Sequence, residues 1–240
     1  MNVIAFSLFG SSPLYTHGMI ANAVQYPQIF GPDWKVMIWC SEIPKEIVLK
    51  LTQAGAIIKQ PPKSYANRMF DRFLAMDDPA NERILFRDAD SRPTQREHLA
   101  VKEWMAGRRP FHCMSDHPHH TLPLGGGLWG IDKTKIKGEM PYVLAHVEEA
   151  IIRSRLAPRA YTRARDYSLD QTFLTSMIYP LAKRLGLLRH DSCTRHLFGY
   201  GIPFPTGCKV GDDRFAGEVF GTDDKPHALH YQMRYNYMTA

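Results

Sequence analysis

Over roughly its first 60 residues the chain alternates between strand-like and helix-like patterning, which restricts it to a few architectures. Asn2–Phe9 is an apolar, partly β-branched run of the kind that forms a buried strand. Tyr15–Phe30 carries Met19, Ile20, Ala23 and Val24 at helical spacing, and Gly31-Pro32 stops it. Lys35–Cys40 (KVMIWC) reads as a second strand. Pro44 can sit in the first turn of a helix through Leu51, Gly55 is placed to end it, and Ala56–Ile58 begin a third strand. So short a β-α-β-α-β series calls for a parallel sheet with crossover helices, an α/β class fold.

Beyond it, the spacing predicts a helix over Tyr65–Met76, an acidic turn at Asp77-Asp78-Pro79 and a strand at Arg83–Arg87. A helix over Thr94–Met105 and a strand at Phe111–Met114 follow. Asp116–Gly130 is rich in His, Pro and Gly and reads as a loop. Further helices are predicted over Met140–Arg155 and Leu169–Leu185, and short strands and loops from about Asp191 onward. Without a repeat, low-complexity tract or linker, residues 1–240 read as one domain.

The strand RILFR runs straight into Asp88-Ala-Asp90. In an extended segment residues two apart point the same way, so both carboxylates reach one point. That point is the C-terminal end of a buried strand, where open α/β sheets bind ligands. Two crowded carboxylates need a neutralising cation. Mg²⁺ or Mn²⁺ is the natural occupant, since such ions take carboxylates together with substrate phosphates.

Composition narrows the alternatives. The chain is 44% apolar, enough for a substantial core, and no stretch approaches the length needed to span a bilayer. MNVIAFSLFG lacks a basic n-region and reads as the first strand rather than a signal peptide. Cys40, Cys113, Cys193 and Cys208 are scattered, which suits free thiols in a reducing cytoplasm. The net charge of +6 suits an anionic ligand such as a nucleotide diphosphate, and equally nucleic acid or an anionic membrane surface. The basic residues are not gathered in one tail; Arg153, Arg155, Arg159, Arg163 and Arg165 read as a solvated helix end and loop.

ILFRDADSRPTQRE and the later FHCMSDHPHHTLPLGGGLWG resemble GT-A glycosyltransferases, in particular a group of bacterial and viral ones, some associated with capsule or surface polysaccharide genes. The resemblance spans roughly Asn2 to His190. It implies a Rossmann-like GT-A fold with a mixed, mostly parallel sheet flanked by helices. It also implies a nucleotide-binding half over 1–92, an acceptor half over 93–240, a nucleotide-sugar donor and a DxD-bound metal. The acceptor would be a glycan or lipid-linked hydroxyl rather than nucleic acid, and the site cytoplasmic or peripheral to a membrane.

Several residues then become candidates. Arg68 and Arg72 are four apart and would share a helix face; in similar enzymes a basic residue here meets the donor. The alternative is a salt bridge to Asp71 or Asp77. Arg87 and Arg92 flank the acidic pair, and Ser91 follows it. Gly125-Gly126-Gly127 lets backbone approach a ligand, with Gly126 and Gly127 beside the sugar by analogy. Trp129 could stack on a sugar or be core. Asp116 is a candidate base or a loop cap. Asp170-Gln171 is a routine helix start, or, as in similar enzymes, lies near the transferred sugar. His230 resembles the late metal-ligating histidine of some GT-A enzymes, and His190-Asp191 is a weaker option.

Three other readings compete. A sugar-phosphate nucleotidyltransferase usually has a glycine-rich, basic signature after the first strand, and LFGSSPLYTHG has no following Arg or Lys. A phosphohydrolase built on His190-Asp191 conflicts with the strand pattern. A catalytically silent nucleotide-sugar-binding homologue is compatible with everything above.

Overall fold

The computed structural model describes residues 1–61, 68–136, 169–193, 195–207 and 214–239. Its centre is a seven-stranded sheet: β1 (Asn2–Phe9), β2 (Trp34–Ser41), β3 (Ile57–Lys59), β4 (Arg83–Phe86), β5 (Phe111–Ser115), β6 (Trp129–Asp132) and β7 (Leu187–Asp191). The order is β3-β2-β1-β4-β6-β5-β7. All neighbours pair in parallel except β6, which runs antiparallel to both β4 and β5. This is the mixed, mostly parallel α/β architecture expected from the sequence.

Alternation along the inner strands serves both faces at once. Val3 and Ala5, Met37 and Trp39, Ile84 and Phe86 join one core; Ile4 and Phe6, Val36 and Ile38, and Leu85 join the other. Strands buried on both sides read as near-continuous apolar runs, which is why they stood out. The second core is completed by α1 (Pro13–Phe30), α2 (Lys45–Gln53) and α3 (Gln95–Ala106), through Met19, Tyr26, Leu51 and Trp104. The first is covered by Phe70 and Phe73 of a 3₁₀ helix (Arg68–Met76) and by Phe173, Leu174 and Ile178 of α4. α4 runs from Leu169–Phe173 through a π-helical turn, Leu174–Ile178, into Tyr179–Leu185. Two helices follow, α5 (Arg195–Phe198) and α6 (Ala228–Thr239).

The helix expected over Tyr65–Met76 is described from Arg68 onward and is 3₁₀. Two expectations need correction. The predicted loop to Gly130 gives way to a strand already at Trp129. α6 occupies a stretch expected to be strands and loops. The predicted helix over Met140–Arg155 and the Arg153–Arg165 cluster lie outside the described residues.

Candidate functional site

β4 ends at Phe86, and the chain turns at once through Asp88, Ala89 and Asp90. The turn is built from its own backbone: Ser91 donates to the Asp88 carbonyl through Oγ (3.0 Å) and N (3.3 Å). Beside it α1 comes very close. A Cβ on Gly18 would lie 2.4 Å from the Ala89 carbonyl oxygen, so glycine is required there, and Asn22 Nδ2 donates to the same oxygen at 3.2 Å. On the open side lies a cavity of about 270 Å³, walled by Ser7, Phe9, Tyr15, Arg72, Asp88 and Asp90 among others. It sits at the C-terminal ends of β1 and β4, where parallel strands present ligand sites.

The electrostatics of the cavity are set by three carboxylates and one guanidinium. Arg72 is buried; Nη1 donates to Asp88 Oδ1 and to the Arg87 carbonyl (3.1 Å), and Nη2 to Asp170 Oδ2 (3.2 Å). Neither Asp71 nor Asp77 is the partner of Arg72; the Asp71 carboxyl is instead raised to about 7 by burial, with the charge of Arg68 opposing. Arg72 is itself held by Ser7, whose Oγ accepts from the Arg72 backbone N at 2.9 Å. Asp170, fully buried at the start of α4, also accepts from Gln171 N (2.8 Å). Burial pushes the Asp170 carboxyl up from the usual range, with Arg72 opposing. Asp90 is pushed up to about 6, first by burial and then by the negative charge of Asp88. A carboxylate made reluctant to ionise by burial and by a neighbouring negative charge marks a place that favours added positive charge.

The glycine loop meets this network from the other side. A Cβ on Gly127 would lie 2.0 Å from Asp88 Oδ2, and one on Gly126 would lie 2.7 Å from Arg72 Nη2 and 3.1 Å from Asp170 Oδ2. With its amide oriented to satisfy both neighbours, Gln171 donates to the Leu124 carbonyl (3.0 Å) and accepts from Gly126 N (2.9 Å). The structure therefore assembles Arg72, Asp88, Gly126, Gly127, Asp170 and Gln171 in one place, with Asp90 on the same turn.

Other candidates fall elsewhere. Asp116 is fully buried and saturated: it accepts from Arg96 (2.6 and 2.8 Å), Ser192 Oγ (2.6 Å) and Ala216 N (3.0 Å), with Arg234 at 3.5 Å. With its lone pairs engaged, it is an anchor of the C-terminal segment and not a base. Ser91 turns its hydroxyl inward to the Asp88 carbonyl rather than toward a donor. Arg87 is buried against Glu97 (2.6 Å), and Arg92 against Asp224 (2.9 Å). Trp129 is fully buried and stacks on Phe86 at 4.3 Å, so it is core. Arg68 is half-buried and does not line the cavity.

His230 lies among other imidazoles, 4.6 Å from His227 and 5.7 Å from His117 between ring centroids. Among the described residues no three His, Cys, Asp or Glu side chains are arranged to hold a metal, so His230 is not drawn into a set with Asp88 and Asp90. His190 is buried in β7 against His112.

Sequence reading missed the segment that closes the site. Val219 bridges Ser91 and lines the cavity, while Phe220 N donates to the Asp90 carbonyl (2.8 Å). Only the three-dimensional pairing shows this. Gly18, in contrast, left a signal: an unexplained glycine inside an apolar helix.

No protein-family model matches the chain, and no curated protein does. Solved structures similar to it include the glycosyltransferase GlyE of Streptococcus pneumoniae TIGR4, at 12% identity and TM-score 0.46 over 78% of this chain and 44% of that one. The galactosyltransferase LgtC, in complex with donor and acceptor sugar analogues, matches at 11% identity and TM-score 0.49 over 82% and 78%. A cytidylyltransferase from Leptospira borgpetersenii serovar Hardjo-bovis matches at 11% and TM-score 0.43 over 80% and 75%. The chain thus spans under half the length of the first of these and about three quarters of the other two.

Proposed function

We propose that the chain is a metal-dependent glycosyltransferase, moving a sugar from a nucleotide diphosphate sugar to a glycan or lipid-linked acceptor hydroxyl. The observation that carries this is the acidic pair Asp88 and Asp90 at the C-terminal end of β4, on the wall of the cavity. The pair fits a divalent ion by its own chemistry: two hard oxygen donors on one turn, with Asp90 raised by burial and then by its neighbour's charge. Mg²⁺ and Mn²⁺ take one or two protein carboxylates and complete their shell with substrate phosphates and water, so a third protein ligand is not required. When bound, such an ion stabilises the charge that develops on the departing diphosphate.

The chain's own side chains do the positioning. Arg72 fixes the Asp88 carboxylate by charge-assisted hydrogen bonding and ties it to Asp170. Asp170 is enclosed and paired, so it acts by holding Arg72 rather than by touching an acceptor. Gln171 pins the glycine loop, and the bare backbone of Gly126 and Gly127 lets the loop pack directly on Arg72, Asp88 and Asp170. The half over 1–92 would hold the donor, and the remainder would shape the acceptor side. The buried free thiols Cys40, Cys113 and Cys193 suit a reducing compartment, so we place the activity in the cytoplasm, serving surface polysaccharide synthesis.

Titration calorimetry with UDP-, GDP-, CMP- and ADP-linked sugars, each with and without Mn²⁺, tests this. One nucleotide class should bind with metal, and Asp88→Asn with Asp90→Asn should abolish that binding. Unchanged binding in the double variant, or none to any donor, defeats the proposal.

A further inference from the structure

The segment that closes the acidic cavity is a small hairpin over residues 219–227. Its limbs meet at the Phe220–Pro226 bridge, where His227 N donates to the Val219 carbonyl (2.9 Å) and Gly221 N to the Lys225 carbonyl (2.8 Å). One limb lies along the acidic turn: Val219 bridges Ser91, and Phe220 N donates to the Asp90 carbonyl (2.8 Å). Val219 is the hairpin's contribution to the cavity wall.

Arg92 joins the hairpin to the turn. Its guanidinium is buried and works in two directions. Toward the turn, Nη1 donates to the carbonyls of Ala89 (3.3 Å) and Ser91 (2.9 Å), the residues on either side of Asp90. Toward the hairpin, Nε and Nη2 reach Asp224 Oδ1 (2.9 and 2.8 Å), and the guanidinium lies over the Phe220 ring (5.1 Å). Helix α1 makes room for it: a Cβ on Gly18 would lie 3.1 Å from Nη1 and 3.2 Å from Nη2. Charge-assisted hydrogen bonds of this kind are the strong ones, and a planar fork fixes direction as well as distance. Asp224 adds a second observation. Its φ is 55°, in the left-handed region that side chains other than Gly, Asn and Asp rarely enter. A backbone of that kind persists where surrounding contacts hold it, and the contact here is the Arg92 guanidinium.

We propose that Arg92 and Asp224 are positioning residues whose ion pair latches the hairpin onto the acidic turn, fixing Asp90 for the cation and holding Val219 over the cavity. Neither side chain lines the cavity, so both act through the backbone on either side of Asp90. Holding the two flanking carbonyls and the Asp90 carbonyl itself removes freedom from the turn before any ligand arrives, which is preorganisation. The effect on cation and donor binding rests on the glycosyltransferase reading; the latch does not.

The test uses two variants of the full chain. Asp224→Asn keeps the size and tolerates the left-handed backbone but removes the charge. Asp223→Asn removes the same charge from the neighbouring residue, which faces Lys225 (3.8 Å). Both sites are exposed, and thermal melting verifies folding. Amide hydrogen exchange is followed by NMR without ligands. In Asp224→Asn the Phe220 and His227 amides should exchange at least about tenfold faster, while Leu85 and Phe86 in β4 keep their wild-type rates. The nucleotide sugar that binds the wild type with Mn²⁺ is then titrated calorimetrically. Its affinity should fall at least about tenfold in Asp224→Asn and stay close to wild type in Asp223→Asn. Phe220 and His227 exchange that is unchanged in Asp224→Asn, or equally fast in Asp223→Asn, overturns the latch. Faster exchange with unchanged Mn²⁺-dependent affinity overturns the positioning role. If no nucleotide sugar binds the wild type, the glycosyltransferase reading fails, and the exchange rates still decide the latch.

Discussion

Replacing Arg72 by Met would leave the wholly buried Asp170 without its counter-charge, while Asp88, about half exposed, could turn to water. Removing one partner of a buried pair costs about 3–5 kcal/mol, and nearly all of it belongs to Asp170. Urea denaturation should show a loss of that order for Arg72→Met, and Asp170→Asn in the same chain should recover most of it. A loss below about 1 kcal/mol would mean that the clamp is not structural. Gly127→Ala acts on the same atoms by sterics: its Cβ would collide with Asp88 Oδ2, whereas one on Gly125 meets only ordinary contacts at 3.5 Å. Gly127→Ala should weaken metal-dependent donor binding at least about a hundredfold, with Gly125→Ala close to wild type in the same titration. At this scale the sequence was partly legible. Asp88 and Asp90 were visible as an acidic pair closing an apolar strand, but a turn, and not the extended segment expected, brings both to the cavity wall. The clamp was not, because Arg72 and Asp170 are 98 residues apart and nothing local pairs them.

Strands and helices that bury apolar side chains on a regular period announced themselves; those that bury polar ones did not. β7 is the clearest instance: no element was read over Leu187–His190, and its Arg189, His190 and Asp191 are buried beside β5, which lies far off in the chain. β6 was hidden by brevity, its four residues following directly on the glycine loop. The β5–β7 pairing carries a consequence for acid stability. His112 Nε2 and His190 Nδ1 meet at 2.8 Å, His112 stacks on Trp104, and His190 Nε2 reaches Glu103 on α3 (3.2 Å). Burial lowers the affinity of both imidazoles for protons; each is further lowered by nearby cations, His112 by His190 and Arg87 and His190 by Arg96, while Glu103 opposes at His190. The unfolded chain takes up protons near pH 6.5, before the folded chain does. This contribution to stability is therefore present above about pH 6.5 and lost as the pH falls below it. Asp90, with its raised carboxyl, pulls the other way between about pH 4 and 6, so the pair is best isolated by difference. His112→Phe keeps the stacking and cannot be protonated. Denaturation series from pH 7.5 to 5 should show a shallower acid loss for this variant than for the wild type; parallel curves would show that the pair does not titrate.

The sheet as a whole brings the site together from distant stretches. β4 delivers the acidic turn, antiparallel β6 begins directly after the glycine loop that packs on it, and the segment through Val219 and Phe220 ties down the far side. The first half of this assembly was legible in the chain, and its closure was not, because a four-residue antiparallel strand and an isolated bridge have no sequence period. With only Asp88 and Asp90 offered among the described residues, the cation and the diphosphate must complete each other's binding. Mn²⁺ alone meets two carboxylates and water; the donor alone meets two negative charges. Each should therefore raise the melting temperature little, and the two together should raise it by more than the sum. At a donor concentration about 100 times its dissociation constant, stabilisation of about 2.7 kcal/mol corresponds to roughly 5–10 °C for a chain of this size. The combined shift should shrink as the pH falls through about 6, since protons on Asp90 then compete with the cation. A thermal-shift matrix of metal, donor, both and neither, at pH 5.5 and 7.5, reads all of this directly. Shifts that merely add, or that persist undiminished at pH 5.5, would show that the metal and the nucleotide bind apart and that the acidic pair is not their meeting point.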